Sequence, residues 1–182
     1  MLRTPRLTLR QLTEADGEGC FAIFSSPEVA EYYVWEPFTD VAQGHDLAAR
    51  AAAMFQRREA IRWGLVLPGV PHIIGSCGYG RWNEENQYGV LGYELARPYW
   101  GQGLMSEAVA AVLRVGFGQM NLHRIEATVM TGNTASEKVL TRAGFLHEGV
   151  LRDRVRKAGQ FRTVSMFGLT RPDWAARTSP SA

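Results

Sequence analysis

A pair of glycines between a strand-like segment and a long apolar segment constrains the fold of this chain more than any other feature. Gly101-Gln102-Gly103 follows a strand predicted over Tyr88–Leu95 and precedes a helix predicted over Leu104–Met120. Glycine lets the backbone approach a ligand with no Cβ in between. The free N–H groups of a helix start, with the positive end of the helix dipole behind them, bind anions. We therefore predict a phosphate-binding turn at this junction.

The glycine pattern alone is compatible with three structures: an ordinary tight turn, a dinucleotide-binding fingerprint and a coenzyme A pyrophosphate loop. A dinucleotide fingerprint needs a parallel strand–helix–strand unit, a third small residue and an acid at the end of the next strand. Here Ser106 takes the third position, but Glu126 lies in the middle of the next strand. The strands before the glycines are predicted as a meander, so the decision rests on residues farther along the chain.

A second block, Asn133–Phe145, favours the coenzyme A alternative. Together the two blocks resemble the GNAT superfamily of N-acetyltransferases. The resemblance is greatest to the RimJ/RimL branch, which acetylates the N-termini of ribosomal proteins. Three segments resemble parts of that branch: residues 2–10 its first strand, residues 35–37 its first helical region, and residues 91–95 the strand before the loop. The resemblance covers nearly the whole chain.

The resemblance implies an α+β GNAT fold with a mixed, mostly antiparallel sheet of about seven strands and helices on both faces. We predict one domain over residues 1–174 and a frayed tail over 175–182, which is rich in Ser, Thr, Pro and Ala. A short helix is predicted over Thr134–Ala143, and Ala158-Gly159 is predicted as the turn of a final hairpin.

Composition excludes several other classes of protein. The chain has 182 residues, and no apolar run approaches the ~20 residues of a membrane span. Cys20 and Cys77 show neither a disulfide framework nor metal-ligand spacing, so both are predicted as buried apolar residues. We expect no metal and a reducing, cytoplasmic compartment. The formal net charge is only +2, so we expect no direct binding to nucleic acid.

The distribution of charge is more informative than its sum. Residues 11–49 contain no Lys or Arg but eight acidic residues. Arg152, Arg154 and Arg156 alternate along a predicted strand, which predicts that all three lie on one face. This face is predicted either to pair with the acidic helices or to bind the acceptor.

Candidate donor-binding residues follow from the loop and from the resemblance. The acetyl donor, acetyl-CoA, is expected to bind the backbone N–H groups of the loop, formed by Gln102, Gly103, Leu104, Met105 and Ser106. The resemblance implies that the strand around Leu95 and Ala96 pairs with the pantetheine arm. It also implies that Asn133 hydrogen-bonds this arm, although Asn133 is equally suited to cap the helix that follows.

Two residues are candidates for proton transfer. In the RimJ/RimL branch a serine stands at the position of Ser136. The resemblance implies that this serine protonates the leaving thiolate. The alternative is a serine whose hydroxyl bonds its own backbone. Many GNAT members carry a tyrosine where this chain has Leu140. Glu94 is the candidate base, and its alternative is a strand residue facing solvent or an arginine. Val155 stands where the branch has an acidic residue.

The acceptor is predicted to bind between the acidic, aromatic segment 31–38 and the last hairpin. Tyr33 and Trp35 could pack on an amine, while Glu36 could attract its positive charge. Arg154 could bind a carboxylate of the acceptor. The alternative is a solvated helix face with core aromatics.

The resemblance implies transfer of acetyl to a primary amine by direct attack in a ternary complex. A protein N-terminal α-amine is the leading acceptor, and a small amine such as an aminoglycoside, polyamine or amino acid is the alternative. A non-catalytic acyl-CoA-binding sensor is an alternative of another class, and the donor could be a longer acyl-CoA. A homodimer through the last strands is a further expectation.

Overall fold

A single mixed sheet of eight strands forms the centre of the computed structural model, which describes residues 1–178. The strands run in the spatial order β1-β2-β3-β4-β5-β6-β8-β7. Strands β5 and β6 are parallel, and the other neighbouring pairs are antiparallel. Their bounds are β1 Leu2–Arg3, β2 Thr8–Gln11, β3 Ile61–Val66, β4 Gly75–Asn83, β5 Tyr88–Leu95, β6 Arg124–Met130, β7 Leu146–Lys157 and β8 Gln160–Thr170.

Helices cover both faces of this sheet. The bounds are α1 Gly17–Phe24, α2 Pro27–Ala30, α3 Val41–Gln56, α4 Leu104–Arg114, α5 Thr134–Ala143 and α6 Arg171–Thr178. One group of buried side chains joins α1 and α3 to the sheet, and another joins α4 and α5 to it. This architecture confirms the predicted fold class, with an eighth strand contributed by the two residues of β1.

The helix predicted over Leu104–Met120 is shorter than expected. Helix α4 ends at Arg114 and is followed by a π-helical turn over Val115–Gln119. Gly116 and Gly118 lie in this turn, and glycine disfavours regular α-helix. The apolar residues before it are buried, as predicted: Leu104, Met105, Ala108, Val109, Ala111, Val112 and Leu113. Because its length is packed into the core, α4 holds its N-terminus in a fixed position.

Two other predictions differ from the structure. Helix α6 continues to Thr178, so the predicted domain boundary at residue 174 falls inside a helix; residues 179–182 lie outside the described residues. The strand predicted for Arg152, Arg154 and Arg156 is present but irregular, because pairing between β7 and β8 is interrupted between Leu151 and Val155 and Asp153 has a φ of +52°. All three arginines are exposed, and none belongs to an ion pair within residues 1–178.

Both cysteines are buried and unbridged, as predicted. Burial raises the pKa of each thiol to about 12, so neither is a thiolate at neutral pH. Over residues 1–178, none of the helices has both the length and the apolar character that crossing a membrane requires.

Candidate active site

Strands β5 and β6 are neighbours in the sheet, but they pair over only three residues. Tyr88 lies opposite Arg124 and Val90 lies opposite Glu126, where the pairing in the described chain ends. Beyond this point residues 91–95 remain paired with β4, and β6 remains paired with β8. The central strands therefore separate and leave a gap lined by backbone, where an amide-bearing chain can add as a strand.

A cleft of about 400 Å³ lies at the end of this gap, where the loop before α4 meets the start of α5. The predicted site residues that line it are Tyr33, Glu94, Leu95, Gly103, Leu104, Met105, Ser106, Asn133 and Ser136. A second cavity of about 660 Å³, beside Trp63 and Trp82, contains none of the predicted site residues. The chemistry predicted from the sequence therefore converges on the first cleft.

The glycine loop has the backbone that a phosphate site requires. Gly101 and Gly103 have φ values of +75° and +78°, which residues with a Cβ rarely adopt. A Cβ built on Gly101 meets no protein atom within 4 Å, and the nearest atom to one on Gly103 is Arg6 Nη2 at 3.6 Å. Gly103 is the N-cap of α4 and offers its first-turn N–H groups no side-chain acceptor. Free donors therefore face open space, which fits the pyrophosphate of coenzyme A.

Ser136 and Asn133 are linked at the start of α5. Asn133 is the N-cap, and its Oδ1 accepts a hydrogen bond from the backbone N–H of Ser136 at 3.1 Å. The capping role considered for Asn133 is thus present, while its side chain also lines the cleft. The cap fixes the first turn of α5 and with it the position of the Ser136 hydroxyl.

Tyr93 is a site residue that the sequence analysis missed. Its hydroxyl lies 2.8 Å from Ser136 Oγ and donates a hydrogen bond to the Ser136 carbonyl at 3.2 Å. Burial raises the pKa of Tyr93, so its phenol is protonated at neutral pH. Leu140, the position at which many relatives carry a tyrosine, is fully buried in the core. The signal that could have found Tyr93 is its position, since it lies on the strand that leads into the loop.

Glu94 lies in the cleft wall, and its carboxylate accepts hydrogen bonds from three side chains. Tyr33 Oη donates to Oε2 at 2.5 Å, and the Arg62 guanidinium donates to the same oxygen. The Ser76 hydroxyl donates to Oε1 and accepts from Arg62 Nε at 2.5 Å. The arginine partner that the sequence analysis considered for Glu94 is therefore present, and the carboxylate is only 7% exposed.

Electrostatics within this network hold Tyr33 and Arg62 in defined protonation states. Burial raises the pKa of Tyr33 well above its ordinary value, and the adjacent Glu94 carboxylate raises it further. Burial alone would lower the pKa of Arg62, but the charge and hydrogen bond of Glu94, together with smaller contributions from Tyr33 and Cys77, raise it. Tyr33 is consequently a hydrogen-bond donor, and Arg62 is a permanent cation behind the cleft.

Five predicted site residues lie outside the cleft lining. The Ala96 N–H donates to Ile74 O at 2.8 Å and so faces β4. Trp35 packs on Phe24, Tyr33 and Phe38, which places it behind Tyr33. The other three are Gln102, Glu36 and Arg154. The Gln102 carbonyl accepts a hydrogen bond from Arg6, and Glu36 and Arg154 are exposed.

Comparisons with known proteins agree with this geometry. The family model described as Acetyltransferase (GNAT) domain matches residues 6–146. The chain is 37% identical over 174 residues to the uncharacterized N-acetyltransferase p20 of Bacillus licheniformis, covering 96% of this chain and 98% of that protein. It is 29% identical over 187 residues to the ribosomal protein uS5-alanine N-acetyltransferase of Escherichia coli K12, covering 95% and 92%.

Solved structures share the fold. One of them, described as the RimL ribosomal L7/L12 alpha-N-protein acetyltransferase in complex with coenzyme A, superposes with a TM-score of 0.80. Its sequence identity is 19%, and the match covers 92% of this chain and 95% of that chain.

Proposed function

Because this chain belongs to the GNAT family and is an acetyl-CoA-dependent N-acetyltransferase, we propose that it acetylates protein N-terminal α-amines. The proposal is carried by one observation: the glycine loop, the Ser136 hydroxyl and the Tyr33 hydroxyl line a single cleft. It is supported by the relative from Escherichia coli, which is named for the alanine of a ribosomal protein. We assign the activity to residues 1–174, together with the rest of α6, acting as one domain.

The proposed donor site extends from the gap between β5 and β6 to α4. The N–H groups of Gly103, Leu104, Met105 and Ser106 would bind the pyrophosphate, because they lie at the positive end of the α4 dipole. Gln102 would support the loop through its backbone. Residues 95 and 96 would guide the pantetheine arm, with the Asn133 amide on the opposite wall.

Ser136 is proposed to give a proton to the thiolate of coenzyme A as the acetyl group leaves. A hydroxyl is a weak acid unless a partner shares its proton, and Tyr93 supplies a protonated phenol 2.8 Å from Ser136 Oγ. Ser136 and Tyr93 together would take the role of the tyrosine that many GNAT members carry at the position of Leu140. Ser136 would take up a proton from water as it donates its own, so Ser136 stays neutral throughout, and the hydrogen bond with Tyr93 would hold its hydroxyl in place.

Glu94 is proposed to receive the proton of the attacking amine, through a water molecule or through the Tyr33 hydroxyl. The hydrogen bond of 2.5 Å between Tyr33 and Glu94 supports the second route, because it links the carboxylate to a group on the cleft surface. Arg62 would hold the carboxylate in place during the transfer.

The proposed acceptor end of the cleft lies beside α2. Tyr32 and Glu28 line it together with Tyr33, and the carboxylate of Glu28 would attract a protonated amine. Trp35 would support Tyr33 from behind. Glu36 and Arg154 would act outside the cleft, on residues of a peptide that follow its N-terminus, which a small amine lacks.

Replacing Ser136 with alanine is expected to lower kcat at least about 100-fold, because general acid catalysis contributes about 10² to 10⁴ in rate. The KM for acetyl-CoA should change by no more than about twofold, since the Ser136 backbone N–H keeps its bond to Asn133. Thiol release from acetyl-CoA with a peptide acceptor measures both constants. Thr141→Ala removes an exposed hydroxyl from the same helix and should leave kcat unchanged. Equal kcat in Ser136→Ala and Thr141→Ala would remove Ser136 from the mechanism.

The acceptor class is tested by offering the enzyme two pools with acetyl-CoA and identifying products by mass spectrometry. One pool holds peptides that begin with Ala or Ser, and the other holds aminoglycosides and polyamines. We expect acetylated peptides, and the same peptides with a blocked N-terminus but a free lysine should remain unmodified. Acetylation of the small amines alone would replace this proposal with the small-molecule alternative. Binding of acetyl-CoA without any turnover would favour the sensor.

A further inference from the structure

Arg6 joins the start of the chain to the phosphate loop. Its Nη1 donates a hydrogen bond to the Gln102 carbonyl at 2.9 Å, and its Nε donates to Glu107 Oε2 at 2.8 Å. The backbone N–H of Arg6 donates to Glu107 Oε1 at 2.8 Å, and the Thr4 hydroxyl donates to the same oxygen. One arginine therefore contacts the loop on one side of Gly103 and the first turn of α4 on the other.

Glu107 is an acidic residue beside a site for a doubly charged phosphate group. Burial would raise the pKa of Glu107, but the hydrogen bonds from Thr4 and Arg6 and the charge of Arg6 outweigh burial and lower it. Glu107 is therefore an anion at neutral pH. Without a cation beside it, this anion would repel the pyrophosphate that the helix dipole attracts.

The position of the guanidinium also bears on the loop itself. Arg6 Nη2 lies 3.6 Å from the point that a Cβ on Gly103 would occupy. The hydrogen bond from Arg6 engages the Gln102 carbonyl next to the N–H groups at the start of α4, which have no side-chain acceptor. A carbonyl facing the ligand would oppose phosphate binding, since its oxygen carries partial negative charge.

We propose that Arg6 is a positioning residue for coenzyme A, which holds the Gln102 carbonyl and neutralises Glu107 so that the loop accepts the pyrophosphate. The Arg6 side chain is 48% exposed and the Glu107 side chain 15% exposed, and in Arg6→Gln the Glu107 carboxylate keeps its hydrogen bonds from the Thr4 hydroxyl and the backbone N–H of residue 6. Exposed ion pairs contribute little to folding. The contribution of Arg6 should therefore appear in donor affinity and not in stability. This inference rests on the donor site of the proposed function and is independent of the acceptor.

The test compares the affinities for two ligands, one that carries the pyrophosphate and one that lacks it. Coenzyme A is titrated calorimetrically, and pantetheine, which lacks the pyrophosphate and nucleotide, is titrated by ligand-observed NMR. In Arg6→Gln we expect the Kd for coenzyme A to rise about tenfold, since charged hydrogen bonds are lost, while the Kd for pantetheine stays the same. Arg6→Lys keeps the positive charge but not the planar set of N–H donors, so it should give a loss of coenzyme A affinity between those of the wild type and Arg6→Gln. Arg3→Gln, which removes an exposed charge from β1, should match the wild type.

Four results would overturn the inference. An unchanged Kd for coenzyme A in Arg6→Gln would show that the loop needs no support from Arg6. Equal losses for coenzyme A and pantetheine, or a lower thermal midpoint in Arg6→Gln than in Arg3→Gln, would indicate a general structural role. A wild-type chain that bound no coenzyme A would overturn the donor site as a whole. Normal binding by the wild type with no acetylated peptide would instead contradict only the acceptor proposal.

Discussion

A chain carrying Gly103→Val is expected to bind coenzyme A at least about 100-fold more weakly than the wild type. Gly103 has a φ of +78°, a conformation that costs an L-residue about 1–2 kcal/mol and a β-branched residue more. The new side chain would also occupy the open space at the N-cap of α4, where the nearest protein atom to its Cβ is Arg6 Nη2 at 3.6 Å, and would narrow the proposed phosphate site. Backbone strain and obstruction therefore act together on the same ligand.

Calorimetric titration with coenzyme A measures this effect, and a second glycine provides a matched control. Gly69 lies in the turn between β3 and β4 with a φ of +80°, and a Cβ added to it would meet no atom within 4 Å. Gly69→Val therefore introduces the same strain away from the cleft, and it should lose stability without losing affinity. Equal affinity of Gly103→Val and Gly69→Val would contradict the assignment of the loop to the pyrophosphate.

Removing the Glu94 carboxylate is expected to lower the free energy of unfolding by about 3 kcal/mol. Glu94→Ala leaves the Arg62 guanidinium without its anion, and Ser76 and Tyr33 lose an acceptor. We choose the lower end of the range for buried ion pairs because the Arg62 side chain keeps 23% exposure. The thermal midpoint should fall by about 6–12 °C for a chain of this length.

Urea unfolding followed by circular dichroism measures the change. Glu59→Ala removes a carboxylate from the exposed pair with Arg57 and should leave the free energy of unfolding nearly unchanged. The double variant Arg62→Met with Glu94→Gln removes both charges while keeping an acceptor for Tyr33, so it should regain at least half of the loss. A double variant as unstable as Glu94→Ala would show that the packing, and not the unpaired charge, causes the destabilisation.

Glu94 thus joins the fold to the proposed chemistry. Its partners come from β3, β4 and the segment after α2, so the network ties the acceptor side of the cleft to the centre of the sheet. Kinetic constants of Glu94 variants should be measured below the temperature at which each variant begins to unfold. Only then does a loss of kcat report on proton transfer.

Local patterns in the sequence were sufficient for the elements that depend on local interactions. Helix α5 has the predicted bounds because Asn133 caps its start and Gly144 ends it with a φ of +99°. The Ala158-Gly159 turn joins β7 and β8 as predicted, with Ala158 and Gly159 both at positive φ. The glycine loop was identified for the same reason, since its backbone requirement is visible in the residue types.

Side-chain directions were less predictable than element types. Trp35 was predicted to face the acceptor, but it packs in an aromatic cluster with Phe24 and Phe38. The stop of α4 at Arg114 and the interruption of β7 near Asp153 also departed from simple periodicity. For Trp35 a tertiary contact outweighed the pattern of its own segment, and for α4 two glycines did so.

The sequence by itself determined the family, the order of strands and helices around the loop, and the backbone that a phosphate site needs. Only the tertiary structure decided which side chains meet. The hydrogen-bonded pairs are far apart in the sequence: Ser136 and Tyr93 are separated by 43 residues, Arg62 and Glu94 by 32, and Arg6 and Glu107 by 101. The physical reason is that secondary structure follows from interactions within a few residues. A hydrogen-bonded pair between distant elements depends on how the strands separate and how the helices pack on the sheet.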